Sequence, residues 1–312
     1  MKTDYSSFIV NAQKADLHNH LTLGIHPKTL LENFPDADLK IPKRYFGLPG
    51  MIKFIHNHVN IIMCDADRTI KFMELAIEDS IRDKVVLLEA SVDIKLKKHF
   101  DNSSERVLEV VNNLKDKYAK YIDFRPDIGI DKNIDFTAYK SIIYDCINSG
   151  VYNGIDLYGI EKNRPLSHFR TVFVDAHRKG IKTKVHIGEF SNKSTIEEAI
   201  ELLDPDVIQH GIRAVQSKQT LDLIKKKNIT LNICPQSNVS LMSVRSIKSH
   251  PIKKLVDYGI NVTINTDDLL LFSSTISDQY LSLIKAGVLT YEQIEKIREY
   301  SLKESRLTTA ST

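Results

Sequence analysis

Eight short runs rich in valine, isoleucine and leucine recur along this chain, each separated from the next by a segment of helical pattern. No other feature narrows the choice of folds as far. The runs cover residues 15–20, 84–92, 121–128, 154–158, 181–187, 206–210, 229–234 and 260–266. Between them, Ser194-x-x-Glu197 and Thr290-x-x-Gln293 read as capping boxes that open helices, and Gly180 and Gly259 stand where helices stop. Eight strands alternating with helices predict an α/β chain folded as a (β/α)8 TIM barrel, with a doubly wound open sheet as the rival. No low-complexity linker, repeat or block of like charge divides the chain, so residues 1–312 are expected to form one barrel domain. The segment 25–67 is too long for a simple connection and is predicted to supply a helical cover over the barrel mouth.

The polar residues favour the closed barrel. His18 and His20, His186, His210 and Asp267 fall at or just beyond the carboxyl ends of the first, fifth, sixth and eighth runs, where barrel enzymes carry their chemistry. Closure makes the first and eighth strands neighbours; an open sheet keeps them apart. In a strand, residues i and i+2 share a face, so His18 and His20 can offer both imidazoles to one ion.

Composition limits what such a site acts on. Lys plus Arg (43) nearly balance Asp plus Glu (40), and a net charge of +3 argues against nucleic acid or an anionic membrane as partner, leaving a small molecule. The start of the chain, Met1-Lys2-Thr3-Asp4-Tyr5, leads into no signal-like segment, and no run approaches the ~18 apolar residues of a membrane helix, so a cytoplasmic location is expected. Cys64, Cys146 and Cys234 form no CxxC pair, which points any metal towards His and carboxylate ligands.

Three neutral imidazoles and a carboxylate suit a catalytic zinc or a similar divalent ion, which makes a nucleophile of water at neutral pH. Glu189, three residues after His186, is placed to shuttle protons to the group under attack.

Leu17-His18-Asn19-His20-Leu21, Gly154-Ile155-Asp156-Leu157-Tyr158-Gly159, Val185-His186-Ile187-Gly188-Glu189, His210-Gly211, Cys234-Pro235-Gln236-Ser237-Asn238 and Asn265-Thr266-Asp267-Asp268 resemble, in order and spacing, the adenosine deaminase family of the amidohydrolase superfamily. The resemblance implies one zinc ion per chain on His18, His20, His186 and Asp267. It implies that Glu189 protonates purine N1, that His210 orients the attacking hydroxide, that Asp268 bonds N7 and that the Gly159 N–H bonds N3. His20 and Thr22 are expected beside the substrate. The implied reaction is hydrolytic deamination of adenosine or a close 6-aminopurine nucleoside, with adenine or a 5′-deoxy- or 5′-methylthio-adenosine as alternatives. Where the family has Leu-Asp-Gly after the second histidine, this chain has Leu21-Thr22-Leu23-Gly24, which removes the aspartate that contacts the ribose 5′-hydroxyl. Leu269 follows Asp268 where proline is common, and Leu88-Glu89-Ala90-Ser91 replaces a Glu-x-Arg-like run.

Each residue has a plainer reading. A lone histidine is more often a core side chain than a ligand, Glu189 could be a surface carboxylate, Asp268 a helix N-cap, Gly159 and Gly188 turn glycines, and Ser237-Asn238 residues that shape a loop, where the functional reading has them support the pocket. His56-Asn57-His58 repeats the His-x-His pattern at helical spacing, so its rings should diverge, one of them facing substrate at most. His26, His99, His168, His177 and His250 are assigned to no metal. A barrel metallohydrolase acting on an ester, lactone or phosphoester, or a non-catalytic zinc-binding protein, would share the ligands without needing Glu189 and Asp268.

Overall fold

The computed structural model describes residues 5–161, 165–303 and 305–307; the run Met1 to Asp4, read above for a signal segment, lies outside them. Eight strands form one sheet in chain order: β1 (Lys14–His20), β2 (Val85–Asp93), β3 (Asp123–Asp131), β4 (Gly154–Tyr158), β5 (Lys182–Ile187), β6 (Val207–His210), β7 (Thr230–Ile233) and β8 (Val262–Ile264). Every neighbouring pair is parallel. The ring is drawn shut beyond β8, where the Asp267 N–H donates to the His18 carbonyl at 2.9 Å and the Leu17 N–H to Asn265 Oδ1 at 2.8 Å. These cross-bonds mark where the chain turns from β7 to β1: the Asn265 N–H still meets the Ile233 carbonyl at 2.9 Å, whereas Asp267 bridges to Asn19.

Helices cover the outside of the barrel because each presents one apolar stripe. The helix Tyr291–Leu302 opens with the predicted box between Thr290 and Gln293. The box predicted at Ser194 does not form. Asn192, one residue before the helix Lys193–Leu203, takes the cap by accepting the Ser194 N–H at 3.1 Å, and Glu197 turns to the Thr220 hydroxyl instead. Gly259 ends the helix Ile252–Tyr258 at φ +79°, a left-handed turn that costs glycine little.

After β1 come the helix Pro27–Asn33 and the helix Gly47–Phe54, which runs on through a π turn at Ile55–Val59 to Asn60–Ile62; Leu48, Met51, Ile52 and Ile55 of this stretch line the cavity at the strand ends. Buried Leu30, Met51, Val59 and Ile62 fasten the segment to the main core. The two histidines of the π turn part as predicted: His58 packs on Phe54 with ring centroids 4.7 Å apart, and His56 lines the cavity below. Among the described residues no helix is long and apolar enough to cross a membrane.

Candidate active site

At the carboxyl ends of the strands, a cavity of about 520 Å³ is lined by His20, His186, Glu189, His210, Asp267 and Asp268. All the strand-end residues singled out in the sequence thus converge on one place.

His18 and His20 project from the same face of β1, with ring centroids 6.0 Å apart, and the His186 ring lies 4.7 Å from that of His18. Ring nitrogens of the three lie within 4.8 Å of one another. Asp267 Oδ1 sits 3.5 Å from Nε2 of His18 and 3.5 Å from Nε2 of His20. A tetrahedral ion with bonds of about 2.0–2.1 Å separates its ligands by roughly 3.3–3.4 Å, so this spacing accepts one. His18 adds a second observation. Its Nδ1 lies 3.4 Å from the Asn232 carbonyl and 3.2 Å from Cys234 Sγ, whereas its buried Nε2 has no hydrogen-bond partner. A ring holding its proton on Nδ1 aims a lone pair at the gap before Asp267.

Electrostatics agree. Burial holds His18 and His186 below the ordinary imidazole value, His186 at about 3, keeping both neutral. Ser237 Oγ donates to Asp267 Oδ2 at 2.6 Å and leaves Oδ1 for the gap.

The opposite wall carries two carboxyls whose proton affinity is raised. Burial pushes Glu189 up to about 7, and burial together with the charge of Asp267 pushes Asp268 up to about 8. Glu189 is buried, not a surface carboxylate; its Oε2 lies 3.6 Å from His210 Nε2, its Oε1 accepts from Asn238 Nδ2 at 2.5 Å, and Ser243 Oγ stands 3.1 Å from Oε1 and 3.0 Å from the Asn238 carbonyl. Asp268 stands at the N-cap position of the helix Leu269–Phe272 but makes no side-chain cap bond, and its buried Oδ1 has no partner. His210 and Asp267 both hold left-handed backbone, at φ 65° and 62°, a cost that a non-glycine residue meets only where surroundings enforce it. Gly159, at φ +98°, could not carry a side chain, since a Cβ there would stand 2.6 Å from Asp131 Oδ1.

A family model for adenosine deaminase matches residues 13–311. The chain belongs to the adenosine deaminase family. It is 31% identical over 277 residues to the "Putative adenosine/adenine deaminase" of Treponema pallidum, covering 89% of this chain and 93% of that one. Among solved structures it is similar to the adenine deaminase of Arthrobacter aurescens (TM-score 0.82, 19% identity, 95% of this chain and 94% of that one). It is also similar to a Burkholderia ambifaria amidohydrolase with bound zinc (TM-score 0.81, 19% identity, 97% and 88%). At such identities the likeness to these structures is one of fold. Family membership makes this chain a hydrolytic deaminase, and the family is metal-dependent.

Several residues of this deaminase site went unassigned from sequence. Asp156 on β4 lies 3.0 and 3.1 Å from His186 Nε2 through its two carboxylate oxygens and is gripped by the Ser91 hydroxyl. A signal existed, since a charge in the apolar strand Gly154–Tyr158 needs a buried partner. Glu161 accepts from four backbone N–H groups, those of Gly188 (2.9 Å), Glu189 (2.9 Å), Phe190 (3.2 Å) and Ser191 (2.9 Å), and so fixes the turn that carries Glu189. Lys132 Nζ donates to the His186 carbonyl at 2.6 Å. Below them Lys184 is fully buried between Glu89 (2.7 Å) and Asp127 (2.5 Å), with the Leu17 carbonyl at 3.3 Å beside His18. Nothing local in the sequence announces these partnerships.

Proposed function

We propose that this chain deaminates adenosine or a closely related 6-aminopurine nucleoside by hydrolysis, using one zinc ion. The observation that carries the reading is the pairing, across one cavity, of a three-imidazole and carboxylate cluster with two buried carboxyls, Glu189 and Asp268, whose proton affinity burial raises. His18, His20, His186 and Asp267 would hold the ion, whose chemistry is to make a nucleophile of water at neutral pH.

The chain's own residues do the rest. Glu189, protonated near pH 7, can donate to ring N1, which withdraws electrons from C6 and readies it for attack. Its burial matches the proton affinity to the working pH, as general acids require. His210 Nε2, 3.6 Å from Glu189 and 3.8 Å from Asp267, stands where the attacking oxygen needs orientation. Asp268, with its proton and a free Oδ1, has what purine N7 needs as a partner, and the backbone N–H of Gly159 is assigned to N3 by family resemblance. Ammonia then leaves from C6.

The cavity exceeds what a bare purine base fills, which supports a nucleoside. Thr22 and Leu23 are among the residues that line it, as are His20 and the apolar Leu48, Met51 and Leu96, which offer a 5′ substituent contact without a carboxylate at position 22. Adenine remains the alternative that the names of the relatives bring. Ammonia release from adenosine, 5′-deoxyadenosine, 5′-methylthioadenosine and adenine, and methylamine release from N6-methyl-AMP, with metal analysis of the same sample, test the reading; no ammonia from any of the three nucleosides overturns it.

A further inference from the structure

His250, which sequence reasoning assigned to no metal and no other role, is buried on the loop before the helix Ile252–Tyr258. Its Nδ1 accepts the Ile252 backbone N–H at 3.1 Å. A backbone N–H can only donate, so this nitrogen bears a lone pair and the ring proton is on Nε2. That nitrogen lies 3.1 Å from Asn238 Oδ1, which is therefore the acceptor. The Asn238 amide is thereby fixed with its two N–H bonds facing the site: Nδ2 is 2.5 Å from Glu189 Oε1 and 3.2 Å from His210 Nδ1. Asn238 is fully buried, so no water competes for either bond.

Two consequences follow for groups that touch substrate. Glu189 Oε1 already accepts from the Asn238 amide, which can only donate there, so the acid's proton resides on Oε2, the oxygen turned to His210. His210 accepts at Nδ1, so its own proton is on Nε2, the nitrogen turned to Glu189 and Asp267. We propose that His250 is a positioning residue which, through Asn238, holds the Glu189 proton on Oε2 and His210 in its Nε2–H form. Without it the amide is free to turn over, presenting its oxygen to Glu189 Oε1 and drawing the proton to the wrong side. The proposal rests on the roles given above to Glu189 and His210.

The test combines kinetics with nitrogen-15 NMR of the metal-loaded enzyme, with adenosine as substrate. His250→Leu should keep its metal and lower kcat by roughly 10–100-fold, the usual cost of removing a partner that orients a site group, with KM little changed. His250→Gln, which carries an N–H near the position of Nε2, should recover most of the loss. In an Asn238→Ala background His250→Leu should cost almost nothing more, because the two residues act in series. The wild-type spectrum should show His210 protonated at Nε2, and this holds even where a variant fails to fold. An Nδ1–H His210 in the wild type overturns the proposal, as do effects of His250 and Asn238 that multiply. Wild-type kcat in His250→Leu alongside an inactive Glu189→Gln overturns it while leaving the role of Glu189 intact; an active Glu189→Gln removes both.

Discussion

His18 Nε2 and Asp267 Oδ1 face each other across 3.5 Å although 248 positions of sequence separate Leu17 from Asn265, the neighbouring pair that ties their strand ends together. The backbone fixes the meeting: the Asp267 N–H bonds the His18 carbonyl at 2.9 Å, so the two side chains leave one closure point of the barrel. An uncompensated lone pair opposite a carboxylate oxygen makes a gap that a cation fills at little cost in rearrangement.

One metal ion per chain is therefore expected in the purified protein, and Asp267→Ala should release it. The variant removes the only carboxylate within 3.5 Å of both His18 and His20 among the described residues. Metal analysis checks this; full occupancy in the variant, or two ions per native chain, would contradict the ligand set.

Glu189→Gln should keep the metal and lose turnover by roughly 10²-fold or more, within the usual contribution of ~10²–10⁴ from positioned acid–base catalysis. The pH profile follows from the same residue. Burial raises Glu189 to about 7, and the acid form is the one that donates, so kcat/KM should be sustained below that value and decline as the pH rises through it. Activity that climbs steadily from pH 6 to 9 would exclude Glu189 as the donor.

The wall around Thr22 and Leu23 predicts tolerance at the 5′ position. A site built on a buried carboxylate penalises an analogue that leaves the acceptor unpaired, whereas hydroxyl and aliphatic groups lose little. The kcat/KM for 5′-deoxy- and 5′-methylthio-adenosine should lie within roughly tenfold of that for adenosine, a gap of about 1.4 kcal/mol or less. A preference for adenosine of ~100-fold or more would refute an open 5′ pocket.

At the other end of the barrel Lys14 is fully buried and donates to the carbonyls of Ile9 (3.0 Å), Val10 (3.2 Å) and Ala12 (2.8 Å), closing the helix Tyr5–Asn11. Lys14→Met should destabilise the fold by about 1–3 kcal/mol, the cost of leaving such acceptors unpaired, with kcat unchanged. Burial lowers the ammonium from 10.5 to about 8, so the folded state binds fewer protons than the unfolded one between those values. Lys14's contribution is thus present above 10.5 and lost as the pH falls through 8. Chemical denaturation at pH 7.5 and 10 should show the wild type pulling further ahead of Lys14→Met at the higher pH; a constant difference would mean the amine is not desolvated.

The strand runs, the barrel they imply and the face shared by His18 and His20 were legible in the sequence, because each depends on periodicity among near neighbours. Even there a local contest escaped it: Ser194 and Asn192 both suit a helix cap, and only the extended backbone at Asn192 decided between them. Asp156 against His186, Glu161 under the Glu189 turn, Lys184 between Glu89 and Asp127, and His250 behind Asn238 were decided by the tertiary structure. Their partners lie on other strands or loops, and the pairings exist because a closed barrel removes these charges and amides from water and obliges each to find another polar group. Residue order carries the ring; burial inside the ring chooses who bonds to whom.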